Sequence, residues 1–451
     1  MSGRSFWLRF ILLVASYAVL HVFGLLFYGL SRPFLNVALT AILMLLTVTL
    51  LLLGLIKRAD KMIDAVRPGN GLRWRILTCA FVALSVVFAP SCPAIKAGLS
   101  PLVRFLFLVL VVLLCWFSYR RTTAFVGLLA ALSMICRAPI AAAPIDPNHT
   151  DMLPLVLLAC RRFLSGASPY MDYLMPWKLP LTYLPVIWLP FIPAEIFGLD
   201  PRWLSALFGC LAVIVLFRAF PVLERGPYAG AMKLLFAMFI FLSLDLQFGP
   251  TTPESVFWLA LSLLVFSLSR DSDLGTAVAM GVCLATRQQA VFLLPLLVIY
   301  FFRRLGRREA MVSTALTVAV PLAVCLPFYI ESPIRFFSGI YTRFGRFALQ
   351  KWINDRVWED ALSFAPFFYE HGLQRILTPL VIALQLVLYG IALRCLKELS
   401  GLLSFMGLSM LLFLVLSPVI WPYMFTPLSI LLAASVLNGL SPPEKGTPET
   451  G

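Results

Sequence analysis

Residues 144–180 read PIDPNHTDMLPLVLLACRRFLSGASPYMDYLMPWKLP, and long apolar sequence lies on both sides of them. The stretch holds three carboxylates, a histidine, two adjacent arginines and a lysine. Polar groups at this density cost several kcal/mol each when they face hydrocarbon without partners. We therefore expect the stretch in water at one face of a membrane, and we interpret it as a catalytic loop.

The composition of the whole chain is that of a membrane protein. Hydrophobic residues make up 61% of the 451 residues and charged residues 13%, whereas a soluble domain carries roughly 25% charged residues. The apolar residues come in long runs without alternation, which favours membrane-spanning helices over strands. The predicted fold class is an all-α polytopic membrane protein.

The net charge of +15 comes from 36 basic and 21 acidic residues. In a membrane protein this excess is typical of cytoplasmic loops, so no nucleic-acid partner is expected. The nine cysteines are scattered and form no CxxC pair, which indicates small buried hydrophobic residues and predicts neither a disulfide framework nor a metal site.

Charge also predicts the topology. The basic loop from Lys57 to Arg75 and the pair Arg120-Arg121 are expected in the cytoplasm, together with both termini. Residues 143–180 then lie on the outer face. The next stretch, 181–197, is apolar but interrupted by prolines, so we expect an interfacial or re-entrant segment in place of a straight spanning helix.

The result is a bundle of about 14 transmembrane helices with juxtamembrane helices on the outer face. We divide it into an amino-terminal four-helix extension (1–122), a core (123–440) and a disordered cytoplasmic tail (441–451). The core contains a first outer loop at 143–201 and a second at 329–373. The expected spans are 8–30, 36–56, 76–95, 102–119, 123–142, 202–220, 229–246, 254–269, 274–286, 290–303, 309–328, 375–394, 401–418 and 421–440.

Asp151 is the preferred catalytic candidate. It opens an apolar stretch that reads as a short helix lying on the membrane, where a carboxylate can either cap the helix or act as a base. Asp146 is the second catalytic candidate, although a carboxylate before a proline is also a common turn residue. His149 is either an ordinary loop residue or an assistant to Asp151.

The predicted outer face carries more positive charge than is usual there, which indicates an anionic ligand. Arg287 and Gln288 lie at a polar tip between two short spans, and Arg287 is either a snorkelling side chain or a phosphate clamp. Glu254 begins a span and is either a helix cap or a site residue. The further substrate-binding candidates are His149, Tyr170, Lys178, Tyr183, Arg343 and Arg346.

Three motifs resemble the GT-C superfamily of integral-membrane glycosyltransferases. Asp151 lies fifteen positions before Gly166, which looks like the catalytic acidic residue and surface helix of the first outer loop in the lipid A aminoarabinose transferases. Gly166-Ala-Ser-Pro-Tyr170 and Leu181-Thr-Tyr183-Leu-Pro185 are similar to a run in GPI mannosyltransferase I and in bacterial polyprenol-phosphate-mannose-dependent mannosyltransferases. Gly281-Val-Cys-Leu-Ala-Thr-Arg287 followed by Leu293-Leu-Pro295 resembles their G-x-x-x-x-x-K … P segment, with arginine in place of lysine.

The resemblance covers 123–440 and departs from the family pattern twice. Four spans precede the usual first helix, and the acidic motif Asp146-Pro-Asn-His-Thr-Asp151 is not a tight pair of carboxylates. The resemblance implies a multi-pass enzyme of the bacterial inner or plasma membrane with its active site on the outer face. The donor would be a polyprenyl-phosphate sugar carrying mannose or another hexose, and the acceptor a glycan, a lipid or a protein.

In the reaction that the resemblance implies, Asp151 is the general base in an inverting transfer, with Asp146 or His149 as its helper. Arg287 and the loop arginines bind phosphate, and neither a metal nor a further cofactor is required. The first alternative is a transporter or flippase of lipid-linked sugars, although such proteins usually place ionisable groups near the midplane and contain repeats. The second is a noncatalytic membrane subunit.

Overall fold

Helices dominate the part of the chain that the computed structural model describes, and the prediction of an all-α protein is confirmed. Within that part, strands occur only in one antiparallel hairpin of β1 (Asp172–Leu174) and β2 (Lys178–Pro180), in which Tyr173 pairs with Leu179. The described residues are 12–16, 18–19, 33–55, 71–87, 101–142, 144–145, 147, 151–175, 178–220, 229–242, 252–342, 361, 363–417, 420 and 422–438.

The α-helices fall into three groups along the chain. The amino-terminal group is α1 (Pro33–Leu55), α2 (Gly71–Val87), α3 (Pro101–Ser118) and α4 (Thr122–Ala142). The predicted outer loop holds α5 (Met152–Leu164), α6 (Pro185–Trp188) and α7 (Ile192–Phe197). The remaining helices are α8 (Pro201–Arg218), α9 (Ala229–Leu242), α10 (Ser255–Ser269), α11 (Asp273–Thr286), α12 (Leu294–Arg304), α13 (Arg307–Glu331), α14 (Pro333–Phe337), α15 (Ala365–Glu370), α16 (Leu377–Cys395), α17 (Leu399–Val415) and α18 (Thr426–Asn438).

Prolines divide the apolar stretch after the hairpin into short helical pieces. Helices α6 and α7 flank a 3₁₀ turn at Leu189–Phe191, and each of the three pieces has a proline in its first two positions. Proline fits the first turn of a helix, where its missing N–H is not needed. A helix that would otherwise continue through a proline is interrupted there. The stretch 181–197 therefore contains no long straight helix.

Helices α8, α10, α11 and α13 pack successively against one another, and α18 lies against α10. Helices α10 and α11 are joined by a tight turn in which Asp271 has φ of 53° and the Ser272 side chain caps α11 by accepting from the Gly275 N–H. The two helices therefore run in opposite directions. The start of α10 and the end of α11 consequently lie at the same end of the bundle, which is where the candidate site is found.

Three described helices are long and apolar enough to cross a membrane by length and composition: Pro201–Arg218, Arg307–Glu331 and Gln374–Cys395. In the most apolar 18-residue stretches of Arg307–Glu331 and Gln374–Cys395, only 17% and 28% of the residues are buried within the chain. Their outward surface includes Leu322, 57% exposed, and Leu386, 63% exposed. Uncovered apolar surface on long helices indicates a membrane protein.

Several other predicted spans coincide with shorter apolar helices of 10–17 residues, among them α10, α11 and α17. The amino-terminal helices pack in part on the core, because α1 contacts α17 and α2 contacts α9. The predicted tail 441–451 lies outside the described residues, and so do positions 343–360 of the second predicted outer loop.

Candidate functional site

Asp151 immediately precedes α5, as the sequence predicts, but its side chain makes no cap hydrogen bond with that helix. Its backbone carbonyl accepts a hydrogen bond from the Leu155 N–H at 3.0 Å. The helix is amphipathic: Leu153, Val156 and Ala159 are buried, whereas Arg161 near its end is exposed. The carboxylate of Asp151 is thus held at the start of a helix without serving as the cap of that helix.

A glycine turn follows α5 and leads into the segment that contains Tyr170. Gly166 has φ of +74°, a conformation that favours glycine. The Tyr170 hydroxyl donates to the Tyr183 carbonyl at 3.1 Å, and Trp188 Nε1 lies 3.5 Å from the Tyr170 oxygen. Tyr170 is buried in an aromatic group with Phe328 and Phe336. It therefore supports the backbone at Tyr183 from inside the core.

Thr252 joins the start of α5 to the start of α10. Its hydroxyl accepts from the Glu254 N–H at 3.2 Å and lies 3.7 Å from the sulfur of Met152, which follows Asp151 directly. Its carbonyl accepts a hydrogen bond from the Ser205 hydroxyl of α8. These contacts place Glu254 and Asp151 at one junction of three helices.

Glu254 forms a buried ion pair with Arg287. Glu254 occupies the position before α10 without capping it, and Arg287 follows the last residue of α11 in an extended conformation. An Arg287 terminal nitrogen contacts Glu254 Oε1, and the two side chains are only 8% and 3% exposed. The Arg287 Nε–H group is also buried and has no hydrogen-bond partner in the described chain. The guanidinium therefore retains one donor beyond its ion pair.

Tyr183 connects this ion pair to Asp151. The Arg287 guanidinium carbon lies 4.9 Å from the centre of the Tyr183 ring, a cation–π distance. Burial raises the pKa of the Tyr183 phenol, the positive charge of Arg287 opposes the rise, and the negative charge of Asp151 adds to it. The phenol is therefore neutral at physiological pH. The charges of Asp151 and Arg287 thus act in opposite directions on the same phenol.

Gln288, which follows Arg287 in the chain, hydrogen-bonds to two neighbouring segments. Its side-chain amide donates to the Thr182 carbonyl at 2.9 Å and lies 3.4 Å from the Ile340 carbonyl. Residue 182 precedes Tyr183, and residue 340 belongs to the π-helical turn Ser338–Thr342. We call Asp151, Tyr183, Glu254, Arg287 and Gln288 the inner cluster.

A second group of charges lies on the exposed surface of the same region. Arg161 of α5 pairs with Glu195 of α7 at 2.7 Å, and their side chains are 64% and 20% exposed. Lys178 pairs with Asp172 across the hairpin at 3.1 Å, with side-chain exposures of 67% and 19%. We call these four residues the outer rim. Lys178, a candidate ligand from the sequence, therefore lies in the rim and not in the cluster.

A cavity of about 600 Å³ adjoins the outer rim. It is lined by Arg161 and by apolar side chains of α5 and the hairpin, including Leu157, Leu158 and Leu174. No residue of the inner cluster lines it. This cavity is therefore separate from the buried charges.

The structure thus brings together five of the predicted site residues and places Tyr170 behind them. Asp146, His149, Arg343 and Arg346 lie outside the described residues. In the described ranges, no group of three or more His, Cys, Asp or Glu side chains could hold a metal ion.

Sequence reasoning identified Glu254, Arg287 and Tyr183 separately but did not predict their mutual contacts. It also missed Thr252, which links Met152 to Glu254. The sequence Pro250-Thr-Thr-Pro253 just before Glu254 was the available signal, because hydroxyl residues beside prolines often make local hydrogen bonds.

Comparison with known proteins adds no identification. No protein-family model matches the chain. No curated protein matches it significantly.

Proposed function

We propose that the protein is a membrane glycosyltransferase that moves a hexose, such as mannose, from a polyprenyl phosphate to an acceptor hydroxyl. The observation that carries this proposal is the position of Asp151 beside the buried pair of Glu254 and Arg287: Thr252 contacts both Met152, which follows Asp151, and Glu254. A carboxylate and a guanidinium at one site are the two charged groups that such a transfer needs. The first accepts a proton, and the second stabilises a phosphate leaving group.

In the proposed reaction Asp151 acts as the general base. Its carboxylate accepts the proton of the acceptor hydroxyl while that oxygen forms a bond to the anomeric carbon of the sugar. The bond from this carbon to the phosphate oxygen breaks, and polyprenyl phosphate leaves with the electron pair. Attack opposite the leaving group inverts the configuration. Tyr183 is unsuited to the base role because its phenol stays neutral.

Arg287 acts on the phosphate in this scheme. Its unpartnered buried Nε–H is available as a donor, and a guanidinium matches the geometry of phosphate oxygens. Glu254 balances the charge of Arg287 in the absence of ligand and fixes its orientation. A phosphate is a good leaving group, so the scheme requires neither a strong general acid nor a metal.

The proposed setting is a bacterial inner or plasma membrane with about 14 spans, cytoplasmic termini and the inner cluster toward the outer face. The apolar exposure of the long helices supports embedding in lipid. The acceptor is a glycan, a lipid or a protein, and Asp146 or His149 of the same loop could assist Asp151.

The test is sugar transfer by the purified protein in lipid nanodiscs, with a polyprenyl-phosphate hexose as donor and a hydroxyl acceptor panel. Transfer is expected from the lipid-linked donor and not from a nucleotide sugar. We expect Asp151→Asn to lower the transfer rate about 10²- to 10⁴-fold, the usual contribution of a general base. Full activity in this variant would refute the role of Asp151.

The second candidate is a transporter or flippase of lipid-linked sugars. The observation in its favour is the ion pair of Glu254 and Arg287, because ionisable residues buried in a membrane bundle often mark a transport pathway. Reconstituted vesicles separate the two proposals: a flippase moves a labelled lipid-linked sugar between leaflets and leaves its glycosyl bond intact.

A further inference from the structure

A small cavity lies inside the bundle where α8, α10 and α18 meet. Its volume is about 10 Å³, and every residue that lines it is buried. One wall is apolar and consists of small and branched residues of α8, including Gly209, Ala212 and Val213. The other walls carry Trp258 and Ser262 of α10 and Thr426 of α18.

The three polar side chains on these walls lack hydrogen-bond partners in the described chain. Trp258 Nε1, Ser262 Oγ and Thr426 Oγ1 are each buried and unpaired. Buried polar groups in folded proteins nearly always have a partner, and hydrocarbon around a bundle supplies none. Three such atoms on the walls of one cavity therefore define a polar binding site within an otherwise apolar interior.

Size and chemistry restrict what this site can bind. A cavity holds one water molecule when the space open to it is about 10–15 Å³, so this one admits no larger ligand. The indole N–H is a donor only, whereas the two hydroxyls can donate or accept. A bare cation would meet the indole donor unfavourably, and none of the lining side chains is charged. A neutral molecule with both donors and acceptors fits the three groups.

We propose that this cavity binds one ordered water molecule that joins α10 to α18. The water accepts a hydrogen bond from Trp258 Nε1 and donates to the hydroxyls of Ser262 and Thr426, so that each of the three groups gains a hydrogen-bond partner. The Trp258 backbone N–H donates to the Glu254 carbonyl at 3.0 Å. The bound water thus joins Trp258, in the first helical turn after Glu254, to α18, independently of the reaction proposed above.

A cryo-EM map of the full chain in nanodiscs, at a resolution that shows ordered water, tests the site directly. We expect one density peak within about 3 Å of all three polar atoms. An unoccupied cavity would overturn the proposal. A map in which Trp258 Nε1 donates directly to one of the hydroxyls would overturn it as well.

Thermal unfolding provides a second test through the variants Ser262→Ala, Thr426→Val and their combination. Because the two hydroxyls share one water, the loss of Tm in the double variant should be smaller than the sum of the single losses. Strict additivity would contradict the proposal. Ser404 and Ser435 hydrogen-bond to each other directly at 2.8 Å, so variants of this pair give a positive control for coupling. The combination of Ser262→Ala with Ser404→Ala gives the control in which the two losses of Tm should add.

Discussion

The inner cluster and the outer rim contain the same kinds of charged residue in opposite environments. Glu254 and Arg287 of the cluster are nearly inaccessible to solvent, whereas Arg161 and Lys178 of the rim are mostly exposed. An exposed pair is screened by water, but a buried pair loses its hydration and depends on its partner. Burial, and not the number of ion pairs, therefore distinguishes the inner cluster from the outer rim.

The largest effect on stability is expected from breaking the buried pair. Glu254→Ala should lower the free energy of unfolding by about 3–5 kcal/mol, because it leaves the Arg287 charge buried without a counter-ion. Chemical unfolding in detergent measures the loss.

The matched control for this prediction removes both charges. The double variant Glu254→Met with Arg287→Met should be more stable than Glu254→Ala alone, because no unpaired charge remains. If Glu254→Ala proved as stable as the wild type, the pair would not be buried as described and the contrast with the rim would fail.

A smaller effect is expected at Tyr183. Tyr183→Leu removes the ring that faces Arg287 and should cost about 0.5–2 kcal/mol through the cation–π contact, in addition to lost packing. Tyr183→Phe keeps the ring and should be much closer to the wild type. Equal losses in the two variants, measured in the same unfolding assay, would show that the hydroxyl matters and the ring face does not.

The smallest effects are expected in the outer rim. Arg161→Ala, Glu195→Ala and Lys178→Ala should each change the free energy of unfolding by at most about 1 kcal/mol, since exposed ion pairs contribute little. The change should shrink further at high salt, which screens surface charges. A loss as large as that of Glu254→Ala would remove the distinction between rim and cluster.

Much of the helical architecture can be predicted from the sequence, because long apolar runs and prolines act locally. The start of α5 after Asp151 and the broken stretch 181–197 follow from such signals. The three-residue strands were not predicted, since segments so short carry too little alternation to be recognised.

The contacts of the site could not be predicted in the same way. Glu254 and Arg287 are separated by an entire helical hairpin, and each has a sufficient local explanation, as a helix cap or as a snorkelling side chain. Their pairing depends on the packing of α10 against α11, which no local pattern specifies. The hydrogen bond from the Tyr170 hydroxyl to the Tyr183 carbonyl likewise joins residues 13 positions apart and depends on tertiary packing.

The most direct test of the inner cluster as the active site compares two aspartates of the segment 144–180. Asp151→Asn and Asp172→Asn make the same chemical change in the cluster and in the rim, and initial rates of transfer from a polyprenyl-phosphate hexose are measured for both. We predict a rate about 10²- to 10⁴-fold below wild type for Asp151→Asn and a rate within a factor of a few for Asp172→Asn. Equal rates in the two variants, or a greater loss in Asp172→Asn, would contradict the assignment.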